Sequence, residues 1–173
     1  MNLPNKLTIA RVIAVPFFVF FYIKKMAIIS LILFVLASIT DTLDGKIARK
    51  YNLITNFGKI MDPLADKVLV YAAFCLFVAD GKIPAWTLII ILTREFLVAG
   101  VRAVAAAKGI VIAADMAGKI KTVLQMFAVP CLIICTVHPV LYYCAYILFY
   151  ASLLMTIISG INYTVKNKTV FEG

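Results

Sequence analysis

The chain has 173 residues, of which 64% are hydrophobic, and a formal net charge of +9. With a mean hydropathy of +1.04 it lies far above soluble globular proteins, which excludes a water-soluble domain and places the chain in a membrane. The positive charge could suggest nucleic acid, but no Lys/Arg-rich soluble module exists to hold one, and anionic lipid and phosphorylated ligands fit better.

Apolar runs punctuated by charge, Pro and Gly predict six spans, at residues 7–23, 26–46, 60–79, 84–106, 118–137 and 139–162. They nearly exhaust the chain, so the expected fold is all-α, one polytopic six-helix membrane domain over residues 1–173. Any chemistry must then be built from helices and their ends. The first run follows Lys6 and Arg11 but precedes no small-residue cleavage site, so it reads as a retained helix and not a signal peptide.

The same run begins with Asn5, Thr8 and Arg11, which could touch a nucleotide or diphosphate or could simply start the span at the interface. Fourteen of the seventeen Lys and Arg residues fall at the ends shared with the termini; only Lys24, Lys25 and Lys82 fall at the other. Because basic loops are retained inside, both termini are expected to be cytoplasmic, in the plasma membrane.

The second and third spans hold the main anomaly. Of eight acidic residues, four are Asp41, Asp44, Asp62 and Asp66. Counting from Met26 at 1.5 Å per residue puts Asp41 ~22 Å along a helix crossing a ~30 Å hydrocarbon layer, near the inner boundary. A carboxylate at a span centre costs roughly 2.5–3.5 kcal/mol, less toward the edge, so two on one helix call for cations, metals or a wet cavity. Spacings of three and four put each pair on one helical face, and two facing pairs make an oxygen-rich cage suited to hard divalent ions such as Mg²⁺. The alternative is that these are helix caps; Asp62 followed by Pro63 does resemble an N-cap with Pro at the first helical position.

Between the pairs, Gly45 and Ala48 remove side-chain bulk and Arg49 offers a bidentate donor suited to a diphosphate. Gly58 either starts the next helix or keeps that approach open, and Lys46 and Lys50 read as anchors. In the fourth span Arg94 lies about 12 Å inward from Trp86, which is costly unless it faces a polar cavity, and Arg102 is two turns nearer the inner edge on roughly the same side. A pair between Arg94 and Glu95 is the rival explanation. In the fifth span Lys119 and Lys121 are about 200° apart, so the two are not expected to point into one site. Arg102, Lys119 and Lys121 could also be anchors that snorkel to headgroups. Cys75, Cys131, Cys135 and Cys144 lie in apolar spans as small core residues, and His138 before Pro139 reads as a turn residue on the far side.

Written out, residues 41–66 read DTLDGKIARKYNLITNFGKIMDPLAD, the pattern D-x2-D-G-x2-A-R-x8-G-x3-D-x3-D. This resembles the signature of the CDP-alcohol phosphotransferase family, with every fixed position present. The resemblance implies a six-helix, usually homodimeric membrane enzyme with its active site at the cytoplasmic ends of helices 2 and 3. It implies two divalent cations, Mg²⁺ or Mn²⁺, held by Asp41, Asp44, Asp62 and Asp66. Asp66 would also take the proton from the acceptor hydroxyl, and Gly45, Ala48 and Arg49 would lie against the CDP portion.

The segments NLPNKLTIARVIAVP, TREFLVAGVRAV and AGKIKTVLQM are similar to the members that join CDP-diacylglycerol to glycerol 3-phosphate. Arg94, Arg102 and, favoured by that likeness over Lys121, Lys119 would then grip the acceptor phosphate. Other acceptors within the family are inositol phosphate, serine and phosphatidylglycerol. Outside it, a divalent-cation transporter is the competing expectation, although such proteins place ligands near the midplane, often in two similar halves.

Overall fold

The computed structural model describes residues 3–50, 56–110, 112, 115–135 and 139–167; for residues 3–4, 41–50, 56–60, 62, 63, 66 and 139 it describes the backbone alone. Six α-helices follow in order: α1 (Leu3–Ile23), α2 (Ala27–Lys50), α3 (Asn56–Ala79), α4 (Ala85–Ala107), α5 (Met116–Ile134) and α6 (Pro139–Lys166). Three of them, over Asn5–Ile23, Met116–Ile134 and Val140–Lys166, are long and apolar enough to cross a membrane. Among the described residues α2 and α3 add shorter apolar stretches, Ala27–Thr40 and Lys67–Ala79, whereas α4 carries Arg94, Glu95 and Arg102 along its length. Large apolar side chains on the outside, among them Phe96, Tyr143, Ile28 and Ile147, are more than two-thirds exposed. In water that surface would aggregate; in a bilayer it is the lipid-facing coat of a membrane protein.

The helices end where local chemistry stops them. After α1, Lys25 takes φ 58° while the Lys25 and Met26 amides bond back to the Tyr22 and Phe21 carbonyls at 2.9 and 3.0 Å. Gly81 after α3 and Gly109 after α4 close their helices in the same way, at φ 68° and 73°. This is the Schellman arrangement, in which a left-handed residue satisfies otherwise orphaned carbonyls. α5 opens on Asp115, whose carboxylate accepts the Gly118 amide at 3.1 Å as an N-cap.

Phe18, Phe34, Phe74, Phe77, Leu132 and Phe149 are fully buried and knit α1, α2, α3, α5 and α6 together, with Phe74 and Phe149 edge to face at 5.6 Å. A smaller cluster of Val98, Val101, Ala105 and Tyr163 seats α4 on α6. Contacts between turns set the topology. Lys25 pairs with Asp80 at 2.7 Å, Lys82 donates to the Leu132 carbonyl at 2.9 Å, and Tyr146 donates to the Lys82 carbonyl at 2.8 Å. The α1–α2 turn, the α3–α4 turn and the α5–α6 junction therefore share one end, and the C-terminal parts of α2, α4 and α6 share the other with the N-terminal parts of α1, α3 and α5.

Two sequence expectations change. Helices α2 and α3 run further than their apolar stretches, so the aspartate motif is helical for most of its length. Because α3 starts at Asn56, Asp62 and Pro63 lie inside it, which removes the N-cap explanation for Asp62. Residues 136–138, including His138, lie outside the described residues.

Candidate active site

The helix backbones carry Asp41, Asp44, Gly45, Ala48 and Arg49 on the C-terminal half of α2, and Asp62 and Asp66 on the N-terminal half of α3. The side chains of these seven residues lie outside the described ones. With spacings of three and four, each aspartate pair sits one turn apart on its helix. Helix α1 packs against both α2 and α3, and its buried polar residues Asn5, Thr8 and Arg11, at intervals of three, form one face of that helix. All three have interaction partners.

At the same end, α3, α4 and α5 enclose a cavity of about 430 Å³. Among the described residues Arg94, Arg102, Lys119, Lys121 and Lys67 line it together with Glu95 and Asp115. Among the described residues five cations thus face two carboxylates there.

Glu95 is its hub. It is buried, and its Oε1 accepts from Arg94 Nη1 at 2.7 Å and also from Lys121 Nζ, while its Oε2 faces Lys67 Nζ at 3.1 Å. Cations from three helices thus meet one carboxylate. In a low-dielectric interior an uncompensated carboxylate would cost several kcal/mol, so Glu95 persists because these partners surround it.

Arg94 is held through its terminal nitrogens, while its buried Nε has no hydrogen-bond partner among the described residues. Its Nη2 donates to Ser159 Oγ and lies 3.8 Å from Asp115 Oδ1, and the Ser159 hydroxyl lies 3.0 Å from both Asp115 oxygens. Gly118 and Gly160 make room for it: a Cβ on Gly118 would come within 3.0 Å of Arg94 Nη2, and one on Gly160 within 3.1 Å of Arg94 Cγ. The rival pairing of Arg94 with Glu95 is therefore real, and it coexists with a position on the cavity wall. Arg102 is more open; its Nε donates to Tyr163 Oη at 3.1 Å and its guanidinium lies 5.6 Å from the centre of that ring.

The two lysines depart from expectation. Lys119 is exposed at the cavity rim, while Lys121 is buried on Glu95, and both line the cavity. Helical divergence separates their stems, but the cavity curves around the first turns of α5 and long side chains reach it from both sides. Asp115, Ser159, Tyr163 and Gln125 are not singled out by the sequence, and Lys67 enters there only as one of the fourteen basic residues at the inner ends. A signal existed for Asp115, an acid three residues before a glycine at the head of an apolar run; none existed for Ser159, which meets Arg94 only through the packing of α4 on α6.

The chain is similar to known proteins over nearly its whole length. A family model described as CDP-alcohol phosphatidyltransferase matches residues 1–158. A Bacillus subtilis protein named CDP-diacylglycerol--glycerol-3-phosphate 3-phosphatidyltransferase is 41% identical, over 96% of this chain and 95% of its own length. A Rickettsia typhi protein of the same name is 42% identical over 98% of this chain and 99% of its own. A Mycobacterium tuberculosis protein named probable phosphatidylglycerophosphate synthase is 35% identical over 95% of this chain and 81% of its own. On the match to the family model, and on identities of this size over nearly the whole length, the chain belongs to the CDP-alcohol phosphatidyltransferase family.

Proposed function

We propose that this chain transfers the phosphatidyl group of CDP-diacylglycerol to glycerol 3-phosphate, giving phosphatidylglycerophosphate and CMP in phospholipid synthesis. The observation that carries the choice of acceptor is the cavity in which Arg94, Arg102, Lys119, Lys121 and Lys67 face two acids. A phosphomonoester brings close to two negative charges and needs such donors; a neutral alcohol such as serine would leave them uncompensated. The names of the Bacillus and Rickettsia relatives support the same acceptor.

Asp41, Asp44, Asp62 and Asp66 form a donor set of hard carboxylate oxygens on two helices that pack together, which fits divalent cations, two of them by the family resemblance, Mg²⁺ or Mn²⁺. Bound there, the ions would neutralise the diphosphate and stabilise its departing oxygen. The chain's own residues do the rest. Arg49, with Gly45 and Ala48 giving access to the backbone, holds the CDP portion, and Asn5 and Thr8 border it from α1. Arg102 and Lys119 take the acceptor phosphate at the rim, with Arg94 fixed behind them.

Asp66 accepts the proton of the acceptor's primary hydroxyl. That oxygen forms a bond to the phosphorus bearing the lipid, the bond from this phosphorus to the bridging oxygen breaks, and CMP leaves with the electron pair. An alcohol is a weak nucleophile at neutral pH, so a base within reach and fixed geometry contribute most of the rate.

We read residues 1–173 as one domain of six spans in the plasma membrane, with both termini cytoplasmic and two copies forming a dimer. The test is CMP release by the purified protein given CDP-diacylglycerol, a divalent cation and one acceptor at a time. Turnover is expected with glycerol 3-phosphate. Silence with it, beside turnover of inositol phosphate, serine or phosphatidylglycerol, rejects this acceptor.

A further inference from the structure

Behind the cation-lined cavity lies a second, smaller one of about 40 Å³, lined by Lys67, Val70, Tyr71, Glu95, Lys121, Thr122 and Gln125. Lys67, Glu95, Lys121 and Thr122 line both, so the small chamber is the inner continuation of the large one. At ~10–15 Å³ for each water-sized group it takes about three or four such groups, enough for a hydroxyl and the carbon that bears it.

Its far wall holds an unexplained donor. Gln125 lies one turn beyond Lys121 on α5 and is only 5% exposed, and its Nε2 is buried with no hydrogen-bond partner among the described residues. A buried amide donor left unmade costs roughly 1–3 kcal/mol, so its presence at the end of a ligand cavity calls for a ligand atom to accept from it. Glu95 stands on the same chamber as an acceptor. Its Oε2 faces one cation, Lys67, where Oε1 takes two, which leaves it capacity for a hydroxyl hydrogen.

We propose that Gln125 is a specificity-determining residue that reads the secondary hydroxyl of the acceptor's glycerol unit. Gln125 Nε2 donates to the oxygen of that hydroxyl, and the hydroxyl donates in turn to Glu95 Oε2. The inference rests on glycerol 3-phosphate being the acceptor. With the phosphate on Arg102 and Lys119 at the rim, the three-carbon chain runs inward toward Lys67, the residue that follows Asp66 on α3. The secondary hydroxyl sits on the carbon between the phosphate-bearing end and the attacking end, so a group that fixes it also fixes the attacking oxygen.

A crossed substrate and protein substitution tests this. Glycerol 3-phosphate is compared with 3-hydroxypropyl phosphate, which lacks only the secondary hydroxyl, in the native protein and in Gln125→Leu. Gln125→Met, unbranched, serves as a second variant that fills the same space, and the thermal midpoint in detergent reports folding. Polar sites that lose their hydrogen-bonded hydroxyl discriminate by at least about ten-fold.

The native protein is therefore expected to prefer glycerol 3-phosphate by that factor or more in kcat/KM. The variants should lose about ten-fold with glycerol 3-phosphate and less than about two-fold with 3-hydroxypropyl phosphate, so that the preference collapses. Equal losses with both acceptors would show Gln125 to be structural, and no loss with either would leave it bonded to water alone; each result overturns the proposal. Failure of the acceptor reading looks different, because the native protein would then release no CMP with glycerol 3-phosphate while turning over another acceptor.

Discussion

Glu95 and Arg94 are adjacent in sequence, and helix geometry points them about 100° apart, yet they form a 2.7 Å ion pair. Length resolves the conflict, since both side chains reach back over the cavity wall and the other cations complete the charge balance. Such a cluster tolerates little added bulk. In Gly118→Ala the new Cβ would stand 2.5 Å from Asp115 Oδ1, the atom that already caps α5 and meets Ser159. That oxygen cannot retreat without losing those bonds, so the substitution is expected to cost about 1–3 kcal/mol, read as a lower thermal midpoint in detergent.

Asp66→Asn should act on chemistry instead, because the amide keeps the shape and loses the base. A fall of about 10²–10⁴-fold in turnover with the fold intact is expected, and turnover near the native rate would remove Asp66 as base. At this scale the family was legible because four of the eight acids stand in one short stretch of a membrane chain. The hub was not legible. Lys67, Glu95 and Lys121 come from three helices, and no spacing within one helix announces a contact made between them.

Among the elements, apolar runs marked the six helices to within a few residues except where polar sequence stays helical. Helix α2 continues to Lys50 because Ile47–Lys50 are all helix-compatible, and α3 begins at Asn56 despite Gly58, which costs about 1 kcal/mol in a helix, while hydropathy has already fallen. The turns were harder to read, since Lys25 does at φ 58° what Gly81 and Gly109 do more cheaply. Part of that cost is offset by the pair between Lys25 and Asp80.

The Asp80 carboxyl is held below its usual range first by the Lys25 hydrogen bond, then by the Tyr22 hydroxyl and the charges of Lys25 and Lys82, against burial, which pushes it up. A carboxyl whose pKa is lower folded than unfolded stabilises fully above the unfolded value of about 3.9 and loses that contribution as pH falls through the folded value. The thermal midpoints of the native protein and Asp80→Asn should therefore differ by a constant amount from about pH 6 to about pH 4 and converge below it. The difference is expected to be small, because Lys25 is largely exposed. A gap that persists undiminished at the acid end would assign the effect to the shape of the turn and not to charge.

The whole molecule is polarised along its axis. Lys24, Lys25 and Lys82 lie at the end with the turns, while Lys6, Arg102, Lys108, Lys119 and Lys166 lie at the other, beside the cation-lined cavity and the helices bearing the aspartates. Each basic residue near an anionic leaflet contributes about 1 kcal/mol, so under the proposed orientation the imbalance would both retain that end in the cytoplasm and draw anionic ligands toward it.

Labelling separates the two ends. A cysteine at Lys24→Cys should react with a membrane-impermeant maleimide on intact cells, whereas one at Lys108→Cys should react only after permeabilisation, with the native chain and its Cys75, Cys131, Cys135 and Cys144 giving the background. The reverse pattern would place the cavity outside the cell. Glycerol 3-phosphate is a charged, soluble phosphomonoester that does not cross a bilayer unaided, so the proposed reaction could then not be fed from the cytoplasm, and the orientation and the acceptor reading would fall together.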